Sequence, residues 1–428
     1  MLQKLRQSEF LKSVLVLMTA SVVSLAINVL ISPILTRIYS AEQIGDVNLY
    51  TRIVVFISTI ATVRYELSLP IAKQQLHAFH LYRLTYRIAL VILTGIGIVG
   101  LLYALIKPVD TYSMWFMLLV IIGAYLSVWI NIGTNWSIRT KGFKRISQQR
   151  IIASVVSNGL KWFFGMIGWK TYGLLVSLSF GYLASSVLFI LDFAQQKRTY
   201  RSFKANKRMR VLSKEYRQFP IMSLPHVMID LGVDLAMASL IIAFYSKADF
   251  GLFSHAYGLL KLPIGIVGQS IGQVFTNRFS ELIHSKQSVV PLFLKTTRTL
   301  FLLSIVPFTV LFFFGEPIFA FVFGKEWATS GAYASIMIPW LMLNFLLSPI
   351  SSLPMILGRQ KEALIIGIIS GAGQLLIFGA LPELSSYFRL SFEHVLWAAS
   401  GFQSVLLLAV FSIYYRFAQV ADKRLVRF

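Results

Sequence analysis

The sequence predicts an all-α polytopic membrane protein of about twelve transmembrane helices, in two six-helix lobes related as parallel repeats. Three observations predict it. The 428 residues are 56% hydrophobic and only 13% charged, with a mean hydropathy of +0.71, whereas an ordinary soluble domain is about a quarter charged. Apolar runs of ~18–25 residues recur along the whole chain, each long enough to cross a ~30 Å hydrocarbon core. Lastly, Tyr39-Ser40-Ala41-Glu42-Gln43-Ile44-Gly45 returns as Tyr245-Ser246-Lys247-Ala248-Asp249-Phe250-Gly251, again between two apolar runs. That is the mark of a duplicated half, and a membrane protein built from two related halves points to transport.

The expected spans are 13–38, 43–69, 87–106, 113–137, 149–169, 171–193, 219–244, 249–276, 297–323, 330–355, 362–381 and 393–416. Lys4, Arg6 and Lys12 resemble the basic region of a signal peptide. The apolar run from Val14 to Ile38 is too long for one, so it reads as a retained first helix. The lobes are then 1–193 and 219–428, the second ending in a short basic tail. Between them, 194–218 is a cytoplasmic linker carrying Lys197, Arg198, Arg201, Lys204, Lys207, Arg208, Arg210, Lys214 and Arg217, a solvated stretch near anionic headgroups.

Orientation follows from Lys and Arg. About 30 of them fall at or beyond the span ends on the side of the N-terminus, the linker and the C-terminal tail. Only Arg37, Lys107, Lys170, Lys247, Lys325 and Arg389 fall on the other, so both termini are cytoplasmic. The net charge of +23 therefore reflects topology rather than nucleic-acid binding, because the basic residues sit between apolar runs. Cysteine is absent, which excludes disulfides and thiol chemistry.

Ser40 with Gln43, and Ser246 with Asp249, have capping-box spacing and mark the external turns into helices two and eight. Gly45 and Gly251 permit close helix packing there. The 206-residue offset places Ser24 on Asp230 and Asn28 on Asp234. Ser21, Ser24, Asn28 and Ser32 form one polar stripe on the first helix, and His226, Asp230 and Asp234 form its counterpart on the seventh.

An ionised group at mid-membrane costs about 2.5–3.5 kcal/mol even on the lenient insertion scale, so it faces a cavity, pairs or works. Arg52 on the second helix, Lys261 on the eighth, and Lys161 in a stripe with Ser154 and Asn158 imply a cavity that accepts an anion. Pairing of Arg52 or Lys261 with Asp230 or Asp234 is the alternative. Arg64 lies near the cytoplasmic end of its helix beside Glu66, where snorkelling or pairing suffices. Asp230 and Asp234, one turn apart, do not both ionise easily, which suits proton exchange or a bound cation. Amides such as Asn131, Asn135, Gln269, Gln273, Asn344, Gln374 and Gln403 hydrogen-bond between helices or line a sugar-binding cavity. There is no P-loop, no His-x-x-x-His pair and no zinc-ligand spacing, so no catalytic residue, metal or cofactor is expected.

Taken together these residues resemble the polysaccharide (Wzx-like) flippases of the multidrug/oligosaccharidyl-lipid/polysaccharide (MOP) exporter superfamily. The likeness rests on the Ser40–Gly45 turn and its copy ending at Gly251. It also rests on Phe323-Gly324-Lys325-Glu326-Trp327, on Leu357-Gly358-Arg359-Gln360-Lys361 and on the echo Gly142-Phe143-Lys144. The resemblance implies a MATE-like fold and a cationic cavity opening alternately to either face of a bacterial inner membrane. The implied substrate is an undecaprenyl-pyrophosphate-linked oligosaccharide for O-antigen, capsule or exopolysaccharide synthesis. The lipid tail would stay among membrane lipids, and polymerase and chain-length proteins of the same pathway are the candidate partners. It assigns Arg52 and Lys261, with Lys161 and Arg64, to the pyrophosphate. Asp230, Asp234 and His226 become candidates for coupling to a proton or sodium ion, with Ser24 and Asn28 as a polar cavity stripe. Helix eleven departs from the relatives' cation site by carrying Gln374 instead of an acid.

A MATE-type drug/cation antiporter is the second transporter reading, and the excess of intramembrane cations argues against its acidic cavity. A membrane polysaccharide polymerase is a reading from another class, an enzyme. It would need a large external loop, and no external loop exceeds about a dozen residues.

Overall fold

A bilayer offers the backbone no hydrogen-bond partner, so a spanning segment must satisfy its own amides and carbonyls, as a helix does. The computed structural model describes residues 2–106, 111–200, 205–388 and 390–425, and among them no residue is in a strand. Lys107, Arg201, Lys204, Arg389 and Arg427, used above for orientation, lie outside the described residues. The helices are α1 Leu2–Ile38, α2 Ala41–Thr62, α3 Gln75–Ile106, α4 Thr111–Arg139, α5 Phe143–Met166, α6 Lys170–Thr199 and α7 Ala205–Glu215. They continue as α8 Leu224–Phe244, α9 Lys247–His284, α10 Val290–Phe323, α11 Ala328–Leu347, α12 Leu353–Ile356, α13 Gln360–Phe388 and α14 Phe392–Leu425.

Among the described residues, eleven helical segments are long and apolar enough to cross a membrane, one fewer than expected. The one that drops out is α5, which is helical but carries Lys144, Arg145, Arg150 and Lys161. The second expected span, 43–69, also ends early. Val63 and Arg64 adopt left-handed conformations (φ 49° and 62°) that stop α2 at Thr62, and a 3₁₀ turn follows over Tyr65–Ser68. Helix α10 is bent at Phe314 (φ −120°, ψ 16°), three residues before Pro317, whose missing N–H and ring interrupt the helical ladder.

Contacts divide the chain into one unit of Met1–Tyr39 with Asp46–Leu235 and another of Ser40–Gly45 with Ala236–Phe428. The stretch expected to be a linker is largely helical, and its second part is docked on the first unit. Met209, Leu212 and Tyr216, at helical spacing, are buried. Tyr65 Oη donates to the Ser213 carbonyl at 2.9 Å, and Lys73 pairs with Glu215 at 3.0 Å.

The core of the first unit is aromatic. Phe79, Tyr82, Trp129 and Trp136 pack with Phe193, with Leu212 of α7 and with Tyr216 just after it. Arg139 at the end of α4 ties the loop after α2 down, donating from Nη1 to the carbonyls of Leu69, Pro70 and Ala72 and from Nε to Gln75 Oε1. The core of the second unit gathers Phe275 and Phe279 of α9, Phe293 of α10, Ile350, and Tyr414 and Phe417 of α14. Large apolar side chains such as Leu105, Phe313 and Phe321 remain exposed, as lipid-facing positions require.

The first capping box is complete, and the second has its serine half. Gln43 N donates to Ser40 Oγ while Ser40 N donates to Gln43 Oε1, and Asp249 N donates to Ser246 Oγ at 2.9 Å. Within the second unit the two helix starts touch backbone to backbone. A Cβ on Gly45 would lie 2.5 Å from the Lys247 carbonyl oxygen, and one on Gly251 would overlap the Ala41 carbonyl. Gly251→Ala is therefore expected to destabilise the protein by roughly 1–3 kcal/mol, the usual size for forced overpacking. Gly258→Ala, where nothing lies within 4 Å, should be neutral or stabilising. Thermal unfolding of both variants in detergent checks this, and equal midpoints would remove the contact from the argument.

Candidate functional site

In the first unit Arg52 projects from the middle of α2 with its side chain 14% exposed. Its Nη1 lies 3.1 Å from Asp234 Oδ1 and also donates to the Asp234 backbone carbonyl at 2.9 Å. Of the two acids offered by the sequence, the guanidinium meets the second. Asp234 keeps 41% of its side chain exposed, so the pair is not sealed off. Asp230, one turn earlier, lies beside His226, whose Nδ1 is 3.6 Å from its carboxylate, and both side chains are about two-thirds exposed.

Arg64 pairs with Glu66 at 3.4 Å. Glu66 is almost fully buried, and burial pushes its carboxyl above the ordinary range against the pull of Arg64. Arg64 and His226, from separate parts of the chain, line one cavity of about 740 Å³ together with Lys73, Glu215, Gln218 and Ser223. Glu215 beside Lys73 holds that ammonium above its usual range.

Lys161 is half-buried on α5 and has no ion-pair partner among the described residues. Its carbonyl accepts from Tyr39 Oη at 2.6 Å. The polar stripe of α1 is spent on the neighbouring stripe of α5. Ser24 meets Ser154, Asn158 Nδ2 donates to Asn28 Oδ1 at 2.6 Å, and Arg150 donates to Ser21. Interhelical hydrogen bonding thus occupies Ser24 and Asn28.

In the second unit Lys261 is exposed on α9, with Nζ 4.4 Å from the centroid of the Tyr257 ring one turn back. That is a cation–π contact of about 0.5–1 kcal/mol at an exposed site. Gln374 on α13 is not an acid, and no group of His, Asp and Glu able to hold a metal occurs among the described residues.

A model of the family described as polysaccharide biosynthesis protein matches residues 88–332, more than half of the chain. The chain belongs to the polysaccharide biosynthesis protein family. No curated protein matches it. This family member has the fold of MOP-superfamily exporters. An inward-facing multidrug resistance MATE family transporter aligns at a TM-score of 0.65 and 15% identity, over 94% of this chain and 99% of that one. Lipid II flippase MurJ in an inward closed conformation aligns at 0.69 and 13%, over 96% and 92%. A MOP-superfamily transporter from Pyrococcus furiosus aligns at 0.56 and 12%, over 97% and 96%. The family member is a multi-pass membrane protein.

Sequence reasoning missed Arg145 with Asp192, an ion pair whose acid is 3% exposed. The signal was present, since Asp192 is an acid placed late in a span and calls for a partner. It also left open which acid would meet Arg52. Asp234→Ala is expected to lower stability more than the Arg52→Ala/Asp234→Ala double variant, with a coupling of roughly 0.5–3 kcal/mol that half-exposure of the acid keeps towards the low end. Unfolding midpoints of the two single variants and the double variant measure it, and additive losses would dissolve the pair.

Proposed function

We propose that the protein is a flippase, a transporter rather than an enzyme. It carries undecaprenyl-pyrophosphate-linked oligosaccharides from the cytoplasmic to the outer leaflet of a bacterial plasma membrane by alternating access. The observation that supports this best is a polysaccharide-biosynthesis family match on an exporter fold, with a named lipid II flippase among the similar structures. The product would serve O-antigen, capsule or exopolysaccharide synthesis alongside polymerase and chain-length proteins. The distribution of Lys and Arg supports cytoplasmic termini.

Arg52 and Lys261 are assigned to the pyrophosphate, since a guanidinium offers a bidentate fork and an ammonium a point charge. Lys161, with no ion-pair partner among the described residues, is a third cation. Arg64, with Lys73 and His226, would draw the anionic headgroup into its cavity. Asp230, Asp234 and His226 are the groups proposed to exchange a proton or a sodium ion. The likeness to a MATE transporter favours a drug/cation antiporter as the second reading. Three intramembrane cations favour an anionic substrate instead.

Arg52→Ala and Lys261→Ala should each abolish surface-polysaccharide export at normal protein levels, with Arg52→Lys milder; export retained in both alanine variants removes the pyrophosphate assignment. In reconstituted vesicles under an imposed proton or sodium gradient, Asp230→Asn/Asp234→Asn should lose the response to the gradient. If that double variant still responds, the acids are not the coupling site.

A further inference from the structure

Some polar side chains within the spans of the second unit are spent on one another or on backbone carbonyls. Gln403 Nε2 donates to the Ser370 carbonyl and Ser370 Oγ to Gln403 Oε1, and Tyr333 Oη donates to Asp249. Gln273 and Asn277 are not spent. One turn apart on α9, both are exposed, and neither has a hydrogen-bond partner among the described residues. Both border a cavity of about 440 Å³ whose other walls are Thr276 and the turn Ser348–Ser352 after α11.

Close packing builds this cavity. A Cβ on Gly272 would lie 3.2 Å from the Pro349 carbonyl oxygen and one on Gly268 would overlap Ser348 Oγ, so the two glycines let the turn lie directly on α9. Thr276 and Ser352 hydroxyls hydrogen-bond at 2.6 Å, and Ser351 Oγ donates to the Ser348 carbonyl at 2.7 Å. The lining is all amide, hydroxyl, glycine and proline, with no charged side chain. Arg278, next along the helix, is turned to Glu281 at 2.6 Å.

Such a lining selects by exclusion. An anion finds no cation and an ammonium no carboxylate. An apolar ligand would strand two carboxamides, each losing the cost of an unmade hydrogen bond. The chemistry that matches is a neutral ligand dense in hydroxyls, each able to donate and accept as carboxamides and serines can. We infer that this cavity is a carbohydrate subsite, in which Gln273 and Asn277 bind hydroxyls of the neutral sugars carried by the lipid-linked substrate. The inference rests on the flippase reading and deepens it. Gln273 lies twelve residues beyond Lys261 on α9, roughly 18 Å of helix.

The chain lacks cysteine, so Asn277→Cys creates a single reporter thiol. The full-length variant in liposomes is labelled with a membrane-impermeant maleimide, with two probes: undecaprenyl pyrophosphate, and the lipid-linked glycan extracted from the source cells. The glycolipid should slow labelling several-fold while the bare lipid does not. In parallel, Gln273→Ala/Asn277→Ala should raise Kd for the glycolipid about 10-fold, the size of two lost hydrogen bonds, and leave Kd for the bare lipid unchanged. That unchanged Kd also certifies the fold of the variant. Equal labelling with both probes, or an unaltered Kd for the glycolipid, overturns the subsite alone. If the unmodified protein binds neither lipid, the flippase reading falls and the subsite with it.

Discussion

A guanidinium inside a bilayer must find a counter-charge or water, and Arg52 finds Asp234 across 182 residues of chain. Within the first unit that pair joins α2 to the first half of α8. Helix α7 is held on the same unit by Leu212 in the aromatic core and by the hydrogen bond from Tyr65 to Ser213. The same constraint explains Arg145 with Asp192 and the hydrogen bonds joining α1 to α5. Groups with no counter-charge or side-chain hydrogen bond among the described residues then stand out, such as Lys161, and in the second unit Lys261, Gln273 and Asn277. Uncompensated polarity in a membrane is expensive, so these residues are where a ligand is owed.

Most of the spans were legible because hydropathy and length suffice in a bilayer. What escaped reading was tertiary. Nothing in Val63-Arg64 announces a helix end, since neither is glycine or proline, yet both turn left-handed there. Met209, Leu212 and Tyr216 had helical spacing all along, but the density of basic residues around them disguised a docked helix as a solvated linker. The stripes Ser24–Asn28 and Ser154–Asn158 were each visible; their mutual pairing depends on which helices are neighbours, which no periodicity encodes. For Arg52 the sequence offered two acids one turn apart, and only the rotation of α8 chooses between them.

The duplicated turn shows how a shared scaffold tolerates different chemistry. In the first copy Gln43 reaches back to the Ser40 amide, closing the box with a neutral side chain. In the second, Asp249 accepts from the Ser246 hydroxyl and from Tyr333, so its carboxylate ties the helix start to α11. The contact between Gly45 and Gly251 asks only that both positions lack a side chain.

Helix α5 has a bearing on how the protein is made. It is the one expected span that is not apolar enough, by composition, to count among the eleven, and its polar face is met by Ser21, Ser24 and Asn28 of α1. Synthesis produces α1 long before α5. The groups of α1 that satisfy the polar face of α5 are thus made before the helix that needs them.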